Sequence, residues 1–200
     1  MPSARPARLL LVDDHHLMLD GLRQLLEGEY EIVGMLCTGG EVAEACRRLA
    51  PDVVLLDLSL PDRSGLEVIG DLQATSPSVK ILMVTMHVDR VLAEASIQAG
   101  AHGFVPKDAH LDELRLAIRE VLAGREFVSS RVPHSGPRLA PDHPAFQLER
   151  LTPRQREIVR LLGEGKSTHA IADALGIDTE WGLMRYAMVV RMSEAEAHRR

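Results

Sequence analysis

Short unbroken apolar runs alternate with longer amphipathic stretches along the first part of the chain. LLLV (9–12), VVLL (53–56) and ILMV (81–84) are continuous rather than alternating, the pattern of parallel strands covered on both faces. EIVGML (31–36) and HGFV (102–105) are weaker strand candidates. Helical patterns fall between them, near 16–27, 40–49, 65–74, 90–99 and 111–123. In the last, Leu111, Leu114, Ile118, Val121 and Leu122 share one face. Five strands alternating with five helices predict a doubly wound α/β domain on a five-stranded parallel sheet.

The pattern then changes twice. VSSRVPHSGPRLAPDHPAFQLE (128–149) holds four prolines, three serines and a glycine with little apolar periodicity, so it reads as a linker. From 150 onward the pattern is purely helical. Thr152, Pro153 and Gln155 form a helix-start signature, and Gly163 and Gly165 end that helix. Ser167 caps a short second helix, Gly176 turns the chain, and Asp178 can cap a third, so the spacing predicts a helix-turn-helix. The expected organisation is an α/β domain over 1–127, a linker over 128–149 and a small all-α domain over 150–200.

Charge supports that division. Residues 1–127 carry 12 Lys/Arg against 20 Asp/Glu, whereas 150–200 carry 9 against 7. An acidic front and a mildly basic tail suit two modules with different partners, the tail alone being a candidate reader of nucleic acid. A composition 46% hydrophobic in 200 residues supports a packed core and argues against disorder. No apolar run approaches the roughly 20 residues of a membrane helix, and the first apolar run is too short for a signal peptide, so a cytoplasmic protein is expected. Cys37 and Cys46 lack metal or disulfide spacing and read as reduced, half-buried thiols.

In a doubly wound sheet, ligands bind outside the carboxyl ends of the strands, so the residues following each apolar run are the candidates for chemistry. These are Asp13 and Asp14, Asp57, Thr85 and Lys107. Any one of them could be a helix cap or a solvated side chain; five at strand ends make a site. Three carboxylates in one crevice repel unless a cation sits among them, and hard oxygen donors suit Mg²⁺. A carboxylate facing a lysine and a metal can receive a phosphoryl group, because both cations neutralise the transferring oxygens. Asp57 is the best nucleophile candidate, since it ends the central strand and precedes the Pro/Gly-punctuated loop LSLPDRSG.

The segments LLLVDDHH, VVLLDLSLPDRSGLEVI, ILMVTMH and GAHGFVPKDA, in this order and spacing, resemble the receiver domain of two-component response regulators over about residues 7–125. The resemblance implies a flavodoxin-like fold and a signalling protein rather than an enzyme, phosphorylated by a sensor histidine kinase. It makes Asp57 the phospho-acceptor, Asp14 a direct Mg²⁺ ligand, Asp13 a ligand through water and the Ser59 carbonyl a third protein ligand. Thr85 becomes the hydroxyl that moves to the phosphoryl group, Lys107 its salt-bridge partner and Phe104 the aromatic that turns inward on activation. Ser59 and His87 take the positions that tune the lifetime of the phosphate. Homodimerisation on phosphorylation is the usual consequence.

LTPRQREIVRLLGEGKSTHAIADALGI (151–177) resembles the LuxR-type helix-turn-helix that follows receivers of the NarL/FixJ group, which implies transcriptional control through DNA. Lys166, Ser167, Thr168, His169, Trp181 and Arg185 are the candidate DNA contacts. The third helix departs from the family pattern: Trp181, Gly182 and Leu183 stand where Thr-Val-Lys is usual, and the chain stops seven residues after Ser193. Leu183 and Met184 offer no hydrogen-bond donors to base edges, so weak, largely non-specific DNA binding is expected. The alternative output is a protein–protein contact made by a tail that no longer reads DNA. A hydrolase using Asp57 covalently is disfavoured, since Ser59 stands where a second acid is wanted. Neither G-x-G-x-x-G nor a P-loop follows any strand.

Overall fold

Residues 5–132, apart from 87 and 89, are described in a computed structural model of the chain. The strands are β1 (Arg8–Val12), β2 (Glu31–Leu36), β3 (Val53–Leu56), β4 (Lys80–Thr85), β5 (Gly103–Pro106) and β6 (Phe127–Val128). The helices between them are α1 (His16–Leu26), α2 (Val42–Leu49), α3 (Gly65–Thr75), α4 (Arg90–Ala99) and α5 (Leu111–Leu122). Every strand pair is parallel, in the order β2-β1-β3-β4-β5-β6. The chain reverses direction across the sheet after β2, so the carboxyl ends of β1 and β3 lie side by side at the topological switch point.

Alternation along each strand sends neighbouring side chains to opposite faces. Leu9, Leu11, Leu55, Leu82, Val84 and Val105 pack with Leu19, Leu22 and Leu26 of α1 and with Leu114, Ile118 and Val121 of α5. The intervening residues, Leu10, Val12, Val54, Leu56, Met83 and Phe104, are equally buried on the other face, the side of α2, α3 and α4. This two-sided burial is why the strands read as unbroken apolar runs. The face expected of α5 is the one it buries, with Leu111 and Leu122 partly covered at its ends.

Two expectations need correction. The sheet has six strands, not five, because Phe127 and Val128 pair with Gly103 and Phe104. The linker therefore does not begin at 128. Ser129 is fully buried, its amide donates to the Phe104 carbonyl at 2.9 Å, and Val132 is only 3% exposed. A two-residue strand followed by serine and proline carries too little apolar signal to stand out from its surroundings. The rest of 128–149 and the helical module of 150–200 lie outside the described residues. Cys46 is buried and Cys37 partly exposed, both as free thiols. Among the described residues no helix is long and apolar enough to cross a membrane.

Candidate functional site

Three backbone hydrogen bonds carry the sheet ladder past the strand ends and fix the site. The Asp13 amide donates to the Leu36 carbonyl (3.0 Å), the Asp57 amide to Val12 (2.9 Å) and the Lys107 amide to Thr85 (2.8 Å). Asp13, Asp57 and Lys107 each stand one residue beyond a strand of neighbouring register, so their side chains meet at one sheet edge.

Lys107 Nζ lies 2.7 Å from Asp13 Oδ2 and 2.7 Å from Asp57 Oδ2, and all three side chains are at most 4% exposed. The second oxygen of Asp57 accepts from the Leu58 amide at 2.7 Å. Asp14 sits at the mouth with its side chain 36% exposed. Ligand atoms of Asp13, Asp14, His15 and Asp57 all fall within 4.8 Å of one another.

Electrostatics leave this group short of positive charge. Burial pushes the Asp57 carboxyl above the usual carboxylate range; the hydrogen bond and charge of Lys107 pull it back, and the neighbouring Asp13 charge raises it again. Burial alone would lower the Lys107 ammonium, but its bonds to Asp13 and Asp57 outweigh that and hold it above its ordinary value. One ammonium cannot neutralise three carboxylates. The pocket is acidic, oxygen-rich and open at Asp14, which is what a hard divalent cation requires.

The family model for the response regulator receiver domain matches residues 9–119. The chain is a response regulator. It is 35% identical to the transcriptional regulatory protein MctR of Rhizobium johnstonii over 85% of this chain and 79% of that protein. It is also 30% identical to the response regulator UvrY of Escherichia coli, over 92% and 87% of the two chains. These relatives place it in the NarL/FixJ group. Among solved structures it resembles a LuxR-family two-component response regulator from Aurantimonas, at 36% identity and a TM-score of 0.61, over 64% of this chain and 92% of that one.

In this response regulator Asp13, Asp14, Asp57 and Lys107 come together as the strand-end argument anticipated. Thr85 closes β4 and is fully buried, one step from Lys107 through its carbonyl. Phe104 lies on the same face of the neighbouring strand and is also fully buried. Ser59 lies two residues after Asp57 in the β3–α3 loop, bridged to Ser64. His87 and the candidate DNA contacts, Lys166, Ser167, Thr168, His169, Trp181 and Arg185, lie outside the described residues.

Three residues that shape the site were not singled out from the sequence. His15 contacts both acids of β1's end. Asp62 accepts the Gly39 and Gly40 amides, each at 2.7 Å, and so joins the β3–α3 loop to the β2–α2 loop. Gly65 packs directly against the backbone of Asp57. DDHH and PDRSG contain the signal, but only as residue types common in any turn.

Proposed function

We propose that Asp57 accepts a phosphoryl group from a sensor histidine kinase, and that the phosphorylated receiver controls transcription through the 150–200 module. The observation that carries this reading is Lys107 Nζ held at 2.7 Å from both Asp13 and Asp57 at the carboxyl edge of the sheet. A carboxylate oxygen of Asp57 attacks phosphorus as the bond from phosphorus to the kinase imidazole breaks, and the released imidazole takes up a proton. Lys107, anchored by Asp13, stands ready to neutralise a phosphoryl oxygen, and the Leu58 amide orients the carboxylate.

Asp14, Asp57 and the Ser59 carbonyl would hold Mg²⁺, with Asp13 acting through water. The ion would supply the charge that the three carboxylates lack and shield the incoming phosphoryl oxygens. Thr85 would then turn toward the phosphoryl group, with Phe104 packed beneath it and Ser59 and His87 setting the lifetime of the acyl phosphate. The protein acts in this scheme as a cytoplasmic signalling switch that homodimerises when phosphorylated. Labelling by a small phosphodonor with Mg²⁺ tests the assignment. Asp57→Ala should abolish it and chelation should slow it sharply; undiminished labelling of Asp57→Ala would overturn it.

One sequence observation favours a second output. With Trp181, Gly182 and Leu183 at the base-reading end, DNA contact would rest on few cations, such as Lys166 and Arg185, and on His169. Binding to promoter fragments should then show a shallow salt slope, roughly −2 to −3. A nanomolar, sequence-selective complex at physiological salt would rule out the protein–protein alternative.

A further inference from the structure

His15 is the residue between the acid pair and α1. As the N-cap of α1 it has an extended backbone, and its side chain makes no capping hydrogen bond. Its polar atoms turn back toward the acids instead. The His15 amide donates to Asp13 Oδ1 at 2.9 Å, and the ring Nδ1 lies 3.1 Å from the same oxygen. Nδ1 lies closer still, 2.6 Å, to Asp14 Oδ1. Nitrogen facing two carboxylate oxygens must carry the proton, so Nδ1–H is the donor.

Lys107 takes Asp13 Oδ2, the His15 amide and ring take Asp13 Oδ1, and the same ring nitrogen lies against Asp14 Oδ1. Asp14 sits at the exposed end, where a short acidic side chain would otherwise sample several rotamers. Fixing it only when a cation arrives would cost conformational entropy; a ring that fixes it beforehand removes that cost.

We propose that His15 is a positioning residue for the divalent cation, its amide and ring Nδ1–H fixing the Asp13 carboxylate and its ring lying against the Asp14 carboxylate in the geometry that receives the ion. The inference rests on the Mg²⁺ reading of the acidic pocket. Groups that orient metal-binding carboxylates without touching the metal commonly contribute tenfold or more to affinity. The His15 ring is 69% exposed, so its replacement leaves the core intact.

The position of the donor on the ring makes the test specific. Asparagine places its amide N–H near the Nδ1 position, whereas glutamine places it near Nε2. Mg²⁺ binding to the full-length protein, followed by titration calorimetry, should weaken about tenfold in His15→Ala and His15→Gln. In His15→Asn it should stay within about twofold of wild type, because the donor is retained. Thermal melting without metal checks that all three variants fold alike. Wild-type affinity in His15→Ala, or an Asn variant as weak as the Ala variant, would overturn the inference alone. A wild-type protein that takes up no Mg²⁺ would overturn the cation reading beneath it as well.

Discussion

A β-carbon at Gly65 would lie 2.4 Å from the Asp57 carbonyl oxygen and 3.0 Å from the Leu58 α-carbon. Both are backbone atoms and cannot rotate aside, so the missing side chain is what lets α3 begin against the turn that presents Asp57. The Gly65 amide completes that contact by donating to the Leu58 carbonyl at 2.8 Å. Gly65→Ala should destabilise the domain by about 2–3 kcal/mol through overpacking, and it should depress Asp57 labelling even where the protein remains folded. Denaturant melts paired with phosphodonor labelling check this, and an alanine variant of wild-type stability would contradict it. Asp57 and Lys107 were legible because a strand end is a position the sequence marks. Gly65 was not, since its role depends on which backbone comes to lie opposite it, and the same holds for the reach of His15 back to the acids.

Elements were legible in proportion to their apolar length. The four-residue runs of β1 and β3, buried on both faces, announced themselves, and α5 did so through its periodicity. The loops that join elements at the site edge were not legible, because their contacts are polar and span distant positions. Asp62 is the example. Burial by itself would raise its carboxyl, but the Gly39 and Gly40 amides, with the nearby Arg63 charge, outweigh it and hold the group below the ordinary 3.8. A carboxylate depressed in the folded state contributes stability that is present above its unfolded pKa and is lost as pH falls through the folded one. Asp62→Ala should therefore cost about 1–2 kcal/mol at neutral pH, allowing for solvent screening of two charge-assisted bonds. The gap between variant and wild type should narrow as pH drops below about 4. Urea midpoints across that range measure it, and a gap independent of pH would show that the loop clasp does not depend on the charge.

At the scale of the whole molecule, the division at 127 expected from composition falls inside a structured segment. Pairing, hydrogen bonds and burial hold the strand that follows α5 to the receiver. Phe127 and Val128 pair with β5, the Ser129 hydroxyl donates to Glu113 Oε1 of α5 at 2.6 Å, and Val132 is buried. Arg131 then reaches back to Asp108, donating to its carbonyl at 2.8 Å and its carboxylate at 2.6 Å. Asp108 follows Lys107 directly, so residues 127–132 are fastened beside the acidic crevice. Proline and serine mark where a chain resists helix and strand, not where it stops packing, and the composition of 128–149 therefore placed the boundary too early. Limited proteolysis of the full chain should leave a resistant fragment that extends to Val132 or beyond, with first cuts between 133 and 149. Removing 127–132 should cost the fragment about 2 kcal/mol or more, since burial of Val132 alone is worth about 1.5 kcal/mol. Mass spectrometry of the digest decides the matter. A stable fragment ending at or before Glu126 would show that β6 and the Arg131 clasp are dispensable to the receiver.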